Sequence, residues 1–247
     1  VDLLKNLFKQ RKDIDIPEPE VDTADTEFVA IGDIHGCKKS LDALLEQLSP
    51  YTDRHFVYIG DYIDRGPDSQ DSVQRIINFS KDHKCTILRG NHEQMLLDAF
   101  ETKSKANWMH NGGTETLRSY NEAGNKMDLP YQHHHFYRNT KLYLNSKDYF
   151  FVHAGLDPDT SIAEALYHNY TEQFLWEREH LNQKKNRFEK KIVFGHTPMH
   201  EPLNERNMIG IDTGCVYNKL GYGKLTAILL PEEKFIIQEC LDDVKNM

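Results

Sequence analysis

Three mostly apolar runs organise the first part of the chain: Phe28-Val29-Ala30-Ile31, Phe56-Val57-Tyr58-Ile59 and Cys85-Thr86-Ile87-Leu88. Such short runs read as parallel strands buried on both faces. Helical spacing follows each one. Leu41, Leu44, Leu45 and Leu48 share a face over Lys38–Leu48, and Val73, Ile76 and Ile77 share one over Asp68–Ser80. A third helix is expected from the turn at Asn91 to Phe100. Strand, polar turn and helix therefore alternate three times. Asp33 to Asp61 spans 28 positions and Asp61 to Asn91 spans 30, the interval of consecutive βαβ units.

The pattern breaks over residues 101–140, which hold Trp108, Asn111-Gly112-Gly113, a short helix at Thr114–Tyr120 and the run His133-His134-His135. A long insertion of this kind reads as a cap over a site. The histidine run reads as a solvated polar patch in that cap rather than a metal site. The second half is richer in strands. Lys141–Asn145 and Tyr149–Val152 form a hairpin, and a helical section extends to Leu181. Strands follow at Ile192–Phe194, Met208–Ile211, Leu225–Leu230 and Phe235–Glu239. Before the first strand, Leu3, Leu4, Leu7 and Phe8 suggest a docked helix, and Ile14–Thr26, with Pro17 and Pro19, an extended segment. The division is thus a lead-in over 1–26 and one catalytic domain over 27–247.

A chain of 247 residues can bury one sizeable α/β core. Its net charge of −9 argues against a broad nucleic-acid surface. It also means that phosphate binding would need a local positive site, which divalent ions supply. Cys37, Cys85, Cys215 and Cys240 are scattered without a CxxC pair, so they read as reduced thiols of a cytoplasmic protein. No apolar run is long enough for a membrane span. Lys5 and Asn6 interrupt the start, so no signal peptide is expected.

The residues just after the strands carry the chemistry. Asp33, His35, Asp61, Asn91, His153 and His196 all follow apolar runs. They offer oxygen and nitrogen but no thiolate, which suits manganese, iron or zinc. Any one of them has an ordinary explanation as a turn, cap or core residue. Six together, at βαβ spacing, do not. Asp61 is central and reads as a carboxylate shared by two ions about 3.5–4 Å apart. The first ion takes Asp33, His35 and Asp61, and the second Asp61, Asn91, His153 and His196. A water held between them would ionise near neutral pH and act as the nucleophile.

Gly32-Asp33-Ile34-His35-Gly36, Gly60-Asp61-Tyr62-Ile63-Asp64-Arg65-Gly66, Arg89-Gly90-Asn91-His92-Glu93, His153-Ala154-Gly155 and Gly195-His196-Thr197-Pro198 resemble the motifs of the PPP family of metal-dependent serine/threonine protein phosphatases. The likeness is to its small bacterial and bacteriophage members. It runs from Phe28 to Leu230 and rests chiefly on the first three motifs. It implies a calcineurin-like metallophosphoesterase fold of class α/β, two mixed β-sheets sandwiched between helices. It implies the same metal ligands, with two divalent ions: manganese as first choice, and iron, zinc, nickel or magnesium as alternatives. It further implies that His92 protonates the leaving oxygen, with Asp64 holding the imidazolium. Arg65 and Arg89 match the family's phosphate-gripping arginines, and Trp176-Glu177-Arg178-Glu179 resembles the bacteriophage segment that adds a third, Arg178. Thr197 is expected to support His196.

The implied activity is hydrolysis of a phosphomonoester, first of all phosphoserine or phosphothreonine in a protein or peptide, without a phosphoenzyme intermediate. Phosphotyrosine is a further option that the shape of the cap would decide. The alternative is a diadenosine tetraphosphate hydrolase or a dual-substrate enzyme. Those relatives usually lack the acid at Asp64 and the Arg-Gly-Asn-His-Glu form, both of which this chain has. A non-catalytic phosphoprotein binder would be expected to lack ligands or the acid, and none is missing.

Overall fold

In the computed structural model, residues 20–21, 25–121, 129–183, 185–205 and 207–244 are described. The helix expected over residues 1–12 lies outside them. Glu20–Val21 forms β1. β2 (Phe28–Ile31) is buried throughout, as its unbroken apolar sequence requires. Phe28 and Ala30 enter one hydrophobic cluster, Val29 and Ile31 another, the two-residue period of a strand with both faces covered. α1 (Lys38–Gln47) buries Leu41, Leu44 and Leu45. β3 (His55–Tyr58) begins one residue earlier than expected, because His55 already pairs with Phe28. α2 (Ser69–Asp82), β4 (Cys85–Ile87) and α3 (Asn91–Thr102) complete the three units.

α4 (Ala106–Trp108) leads through a kink at Asn111 and Gly112 into α5 (Thr114–Tyr120), which packs on α2. α6 (Tyr131–Arg138) then carries the histidine run. The solvated patch expected there is corrected at His133. It is fully buried, with Nδ1 2.6 Å from the Tyr120 hydroxyl and Nε2 2.9 Å from Gln74 Oε1. A helix places every third or fourth residue inward, so His133 and Tyr137 are buried while His135 stays exposed. The chain continues through β5 (Tyr143–Asn145), β6 (Tyr149–Val152), α7 (Ile162–His168) and α8 (Thr171–Trp176). β7 (Lys191–Phe194), β8 (Leu203–Glu205), β9 (Met208–Gly210), β10 (Lys224–Leu230) and β11 (Lys234–Glu239) follow. The sequence pattern does not anticipate β8, whose three residues are exposed or half-buried.

The strands form a six-stranded sheet, β1-β5-β6-β7-β9-β8, and a five-stranded sheet, β11-β10-β2-β3-β4. Both are mixed: β2, β3 and β4 run parallel, as do β6, β7 and β9, and antiparallel strands flank each set. Between the sheets lies a shared core of Phe28, Val57 and Ile228 facing Phe151, Val193 and Ile209, with the Phe28 and Phe151 rings 4.9 Å apart. Full burial of each such side chain contributes about 1.5–3 kcal/mol. Helices α1 to α3 cover the outer face of one sheet, and α7 and α8 that of the other. Among the described residues no helix is long and apolar enough to cross a membrane.

Candidate active site

The parallel strands end level with one another. Ile31 pairs with Tyr58 and Tyr58 with Ile87, so the turns that follow meet at the carboxyl end of the sheet, where α/β folds place their sites. The turns are tied to each other directly. Ile34 N–H and His35 N–H both donate to the Asp61 carbonyl at 3.0 and 2.9 Å, and Gly36 N–H donates to the Tyr62 carbonyl. Gly60, at φ +119°, lets these segments close; a Cβ there would lie 2.6 Å from Gly90 N and 2.7 Å from His153 Nδ1. His153 and His196 arrive from the opposite sheet, just past β6 and β7.

Left-handed backbone concentrates here. Of the eight described non-glycine residues with positive φ, five are His35, Asp61, Asp64, Arg65 and His196. Each costs roughly 1–2 kcal/mol relative to ordinary backbone, and such strain gathers at functional turns.

The side chains converge on Asp61. One oxygen, Oδ2, lies 3.6 Å from His35 Nε2 and 3.9 Å from His92 Nε2; the other, Oδ1, lies 3.5 Å from His153 Nε2. Asn91 Oδ1 sits 2.9 Å from both His153 Nε2 and His196 Nδ1. Among the described residues, two groups that include Asp61 could each hold a metal ion: His35, Asp61 and His92, and Asp61, His153 and His196. Asp33 stands beside them, its carboxylate accepting the His196 backbone N–H at 3.0 and 3.2 Å. The rings are oriented for ligation. His35 Nδ1 donates to the Ile63 carbonyl at 2.7 Å and His153 Nδ1 to the Ile59 carbonyl at 3.1 Å, the backbone contacts that usually fix metal-binding imidazoles. With that tautomer, His153 Nε2 turns a lone pair toward Asn91 Oδ1 and Asp61 Oδ1. Acceptors crowded together in a buried site favour a shared cation, so the donor set fits divalent metal.

The charges agree. Burial raises the Asp33 carboxyl well above its ordinary value, and Asp212 and Asp61 raise it further. Burial likewise lifts Asp212 to about 7. For Asp61 burial also pushes upward, but the nearby imidazoles lower it below its ordinary value, and of these His92 is the one whose own value is raised. His196 is pushed down to about 2 by burial and by His153, and burial lowers His35 and His153 as well. These imidazoles are neutral, the form that ligates.

His92 differs. Burial would lower it, yet Asp61 and the hydrogen bond to Asp64 raise it above its ordinary value. Its Nδ1 is 2.6 Å from Asp64 Oδ2. Asp64 in turn accepts from Trp108 Nε1 at 2.9 Å and from the Thr116 hydroxyl at 2.6 Å. The result is a buried imidazole with a raised value and a fixed orientation.

The three arginines part company. Arg65 Nη1 lies 2.6 Å from His35 Nε2, and Arg178 Nε lies 3.1 Å from His196 Nε2. Both guanidiniums therefore rim the Asp61 cluster. Arg89, expected beside them, is buried and turned to other acceptors: Thr140 Oγ1 at 2.9 Å, Gln94 Oε1 at 3.0 Å and the Arg138 carbonyl at 3.3 Å. These bonds hold the chain between α6 and β5.

Sequence reasoning missed several supports. Glu93, the third residue of α3, accepts from Asp61 N, Tyr62 N and Gly90 N at 2.8, 2.9 and 3.0 Å. A glutamate at the third helical position is the visible signal for such a role. Trp108, Thr116 and Asp212 gave no local signal. Thr197 is corrected: its hydroxyl is buried without a hydrogen-bond partner, and His196 is held by Asn91 and Arg178 instead.

The profile of the calcineurin-like phosphoesterase family matches residues 26–223. The chain is 30% identical over 231 residues to the bis(5'-nucleosyl)-tetraphosphatase PrpE (asymmetrical) of Oceanobacillus iheyensis, covering 83% of this chain and 89% of the relative. It is 31% identical over 208 residues to serine/threonine-protein phosphatase 1 of Salmonella typhimurium, covering 79% and 88%. With serine/threonine-protein phosphatase 2 of Escherichia coli the identity is 32% over 195 residues, covering 74% and 85%. Among solved structures, one provisionally named a diadenosine tetraphosphatase superimposes with TM-score 0.68 at 20% identity, over 90% of this chain and 98% of the other. A cold-active protein-tyrosine phosphatase of a Shewanella species gives 0.55 at 19% identity, over 92% and 84%. The structural likenesses support the fold, an α/β sandwich of two mixed sheets flanked by helices.

Proposed function

This chain belongs to the calcineurin-like phosphoesterases, metal-dependent hydrolases, and we propose that it is a phosphoprotein phosphatase acting on phosphoserine and phosphothreonine. The observation that carries the reading is the His92–Asp64 pair. A serine or threonine alkoxide is a poor leaving group and needs a proton as the P–O bond breaks. A dinucleoside polyphosphate releases a phosphate anion, which leaves without one. A positioned general acid is worth about a hundredfold or more, and this chain buries four side chains, His92, Asp64, Trp108 and Thr116, to build one.

In this reading Asp33, His35, Asp61, Asn91, His153 and His196 would hold two divalent ions, with manganese the first choice; Asp61 stands in both of the His/Asp groups that could bind metal. When bound, the ions supply positive charge for the phosphate oxygens and a water acidic enough to attack at neutral pH. Arg65 and Arg178 grip the remaining phosphate oxygens, since a guanidinium donates two parallel hydrogen bonds. His92 delivers the proton on Nε2 to the leaving oxygen while Asp64 keeps Nδ1 and the ring plane fixed. Water that enters with the next cycle restores that proton. The phosphate leaves as inorganic phosphate and the peptide with a free hydroxyl.

A second reading, hydrolysis of diadenosine tetraphosphate, is favoured by the PrpE relatives, which match along most of their length. The test is a comparison of rates. Metal-stripped protein reloaded with manganese is given a phosphothreonine peptide, a phosphotyrosine peptide and diadenosine tetraphosphate, with His92→Asn beside it. The proposal expects fastest release from the phosphothreonine peptide and a large loss in His92→Asn. Preferential cleavage of the dinucleotide, little affected by His92→Asn, would replace it with the second reading.

A further inference from the structure

The sulfur atoms of Cys37, Cys215 and Cys240 lie within 4.8 Å of one another. They come from three separate places: the residue before α1, the loop after β9, and the position following β11. Cys37 and Cys215 are buried and Cys240 is half-buried. Cys240 also lines a surface pocket of about 290 Å³, together with Glu239, Asp242, Asp243, Tyr217 and Lys219.

We propose that these three thiols form a second metal site, for a thiophilic divalent ion of the zinc class. Thiolates select soft and borderline ions, whereas the Asp61 cluster offers only oxygen and nitrogen. Three protein sulfurs leave one tetrahedral position. The pocket beside Cys240 gives that position to water and gives the ion a route in. The carboxylates along the pocket draw cations toward it. Binding converts the thiols to thiolates and releases their protons to solvent.

The frame of the site is already fixed. Asp242 receives Lys39 N–H and Ser40 N–H at 3.0 Å each, and the Ser40 hydroxyl at 2.5 Å. The chain just beyond Cys240 is thus pinned to the first turn of α1, beside Cys37. An ion there would fasten the His35 turn to the loop after β9 and to the end of the five-stranded sheet. Three thiols packed only as small apolar groups would not need to meet at one point beside an acidic pocket.

The probe is cobalt(II) added to the full metal-stripped chain. Cobalt in the Asp61 cluster has no sulfur ligand, so a thiolate-to-cobalt charge-transfer band in the near ultraviolet reports the cysteine site alone. The band is expected in the native chain and in His196→Ala, and lost in Cys215→Ser and Cys240→Ser. Alkylation of Cys240 in the native chain needs no variant. Zinc at ten times its dissociation constant should slow it about tenfold by occupancy. Cobalt binding without the band, a band that survives Cys240→Ser, or alkylation untouched by zinc would each overturn the proposal. A Cys215–Cys240 disulfide in place of metal uptake would overturn it too, and make the cluster an oxidation site.

Discussion

Trp108 Nε1 lies 2.9 Å from both oxygens of the Asp64 carboxylate. The insertion over residues 101–140 therefore reaches under the acid, through Trp108 and Thr116, as well as standing beside the site. Removing the indole N–H should disturb chemistry more than binding. Trp108→Phe is expected to lower kcat about tenfold with KM little changed, as for a residue that acts through the acid. Gly113→Ala should do the same indirectly, since its Cβ would lie 2.6 Å from the Trp108 ring. Steady-state kinetics on a phosphothreonine peptide checks both; a rise in KM with kcat intact would place Trp108 on the substrate instead.

The pH profile should follow Asp64. His92 is raised above its ordinary 6.5 because Asp61 and Asp64 outweigh burial. Activity that needs the imidazolium therefore persists into the neutral range and is lost as pH rises through the raised value. Asp64→Asn removes one of the two carboxylates, burial gains weight, and the alkaline limb of kcat should move to lower pH. A drop of about a hundredfold at neutral pH is expected. An unmoved limb would mean that another group sets it.

Arg89 and Arg178 should separate by measurement. Arg178→Ala removes an exposed guanidinium at His196. It should cut kcat/KM about tenfold to a hundredfold and leave thermal stability nearly unchanged. Arg89→Ala removes the guanidinium that bonds the buried Thr140 hydroxyl, the half-buried Gln94 side chain and the Arg138 carbonyl. Melting should show a loss of about 2–3 kcal/mol. An Arg89→Ala protein with native melting but poor kcat/KM would return Arg89 to the phosphate.

Metal should matter more to stability as pH rises. Asp212 holds its proton up to about 7 against an ordinary 3.8, and Glu93 up to about 8 against 4.5. Between those limits the unfolded chain has released protons that the folded, metal-stripped chain keeps. Folded protein then binds more protons than unfolded, so stripped protein loses stability from about pH 4 to pH 8. Divalent ions held at the proposed ligands would supply the missing positive charge near Asp212 and would also join the two sheets, because His153 and His196 come from one and Asp33, His35, Asp61 and Asn91 from the other. The gap in Tm between manganese-loaded and stripped protein should widen with pH. A constant gap would show that the carboxyls do not carry the effect.

Much of this arrangement was legible in the residues. Strands buried on both faces give unbroken apolar runs, so β2, β6 and the ends of β3 and β4 fell within a residue of expectation. The turns were legible because glycine, acid and imidazole are packed into a few positions. Long-range contacts were not. Nothing near Trp108 or Thr116 announces Asp64, which lies 44 and 52 positions away. Arg89 has a phosphate-binding motif around it, yet apart from Gln94 its side chain bonds Thr140 and Arg138, about fifty positions later. His133 looked solvated because three histidines in a row hide which one a helix turns inward. Asp212 follows a short strand in an ordinary Asp-Thr-Gly turn, and only the fold sets it beside Asp33.

The left-handed turns have a consequence for anyone engineering this scaffold. At His35, Asp61, Asp64, Arg65 and His196 the backbone favours glycine, by roughly 1 kcal/mol at each position. Directed evolution that rewards heat resistance alone will find these codons and trade them away. Survivors of such a screen would be sturdier and inert. Catalytic turnover has to be scored in the same round as melting, or the selection will erase what it set out to preserve.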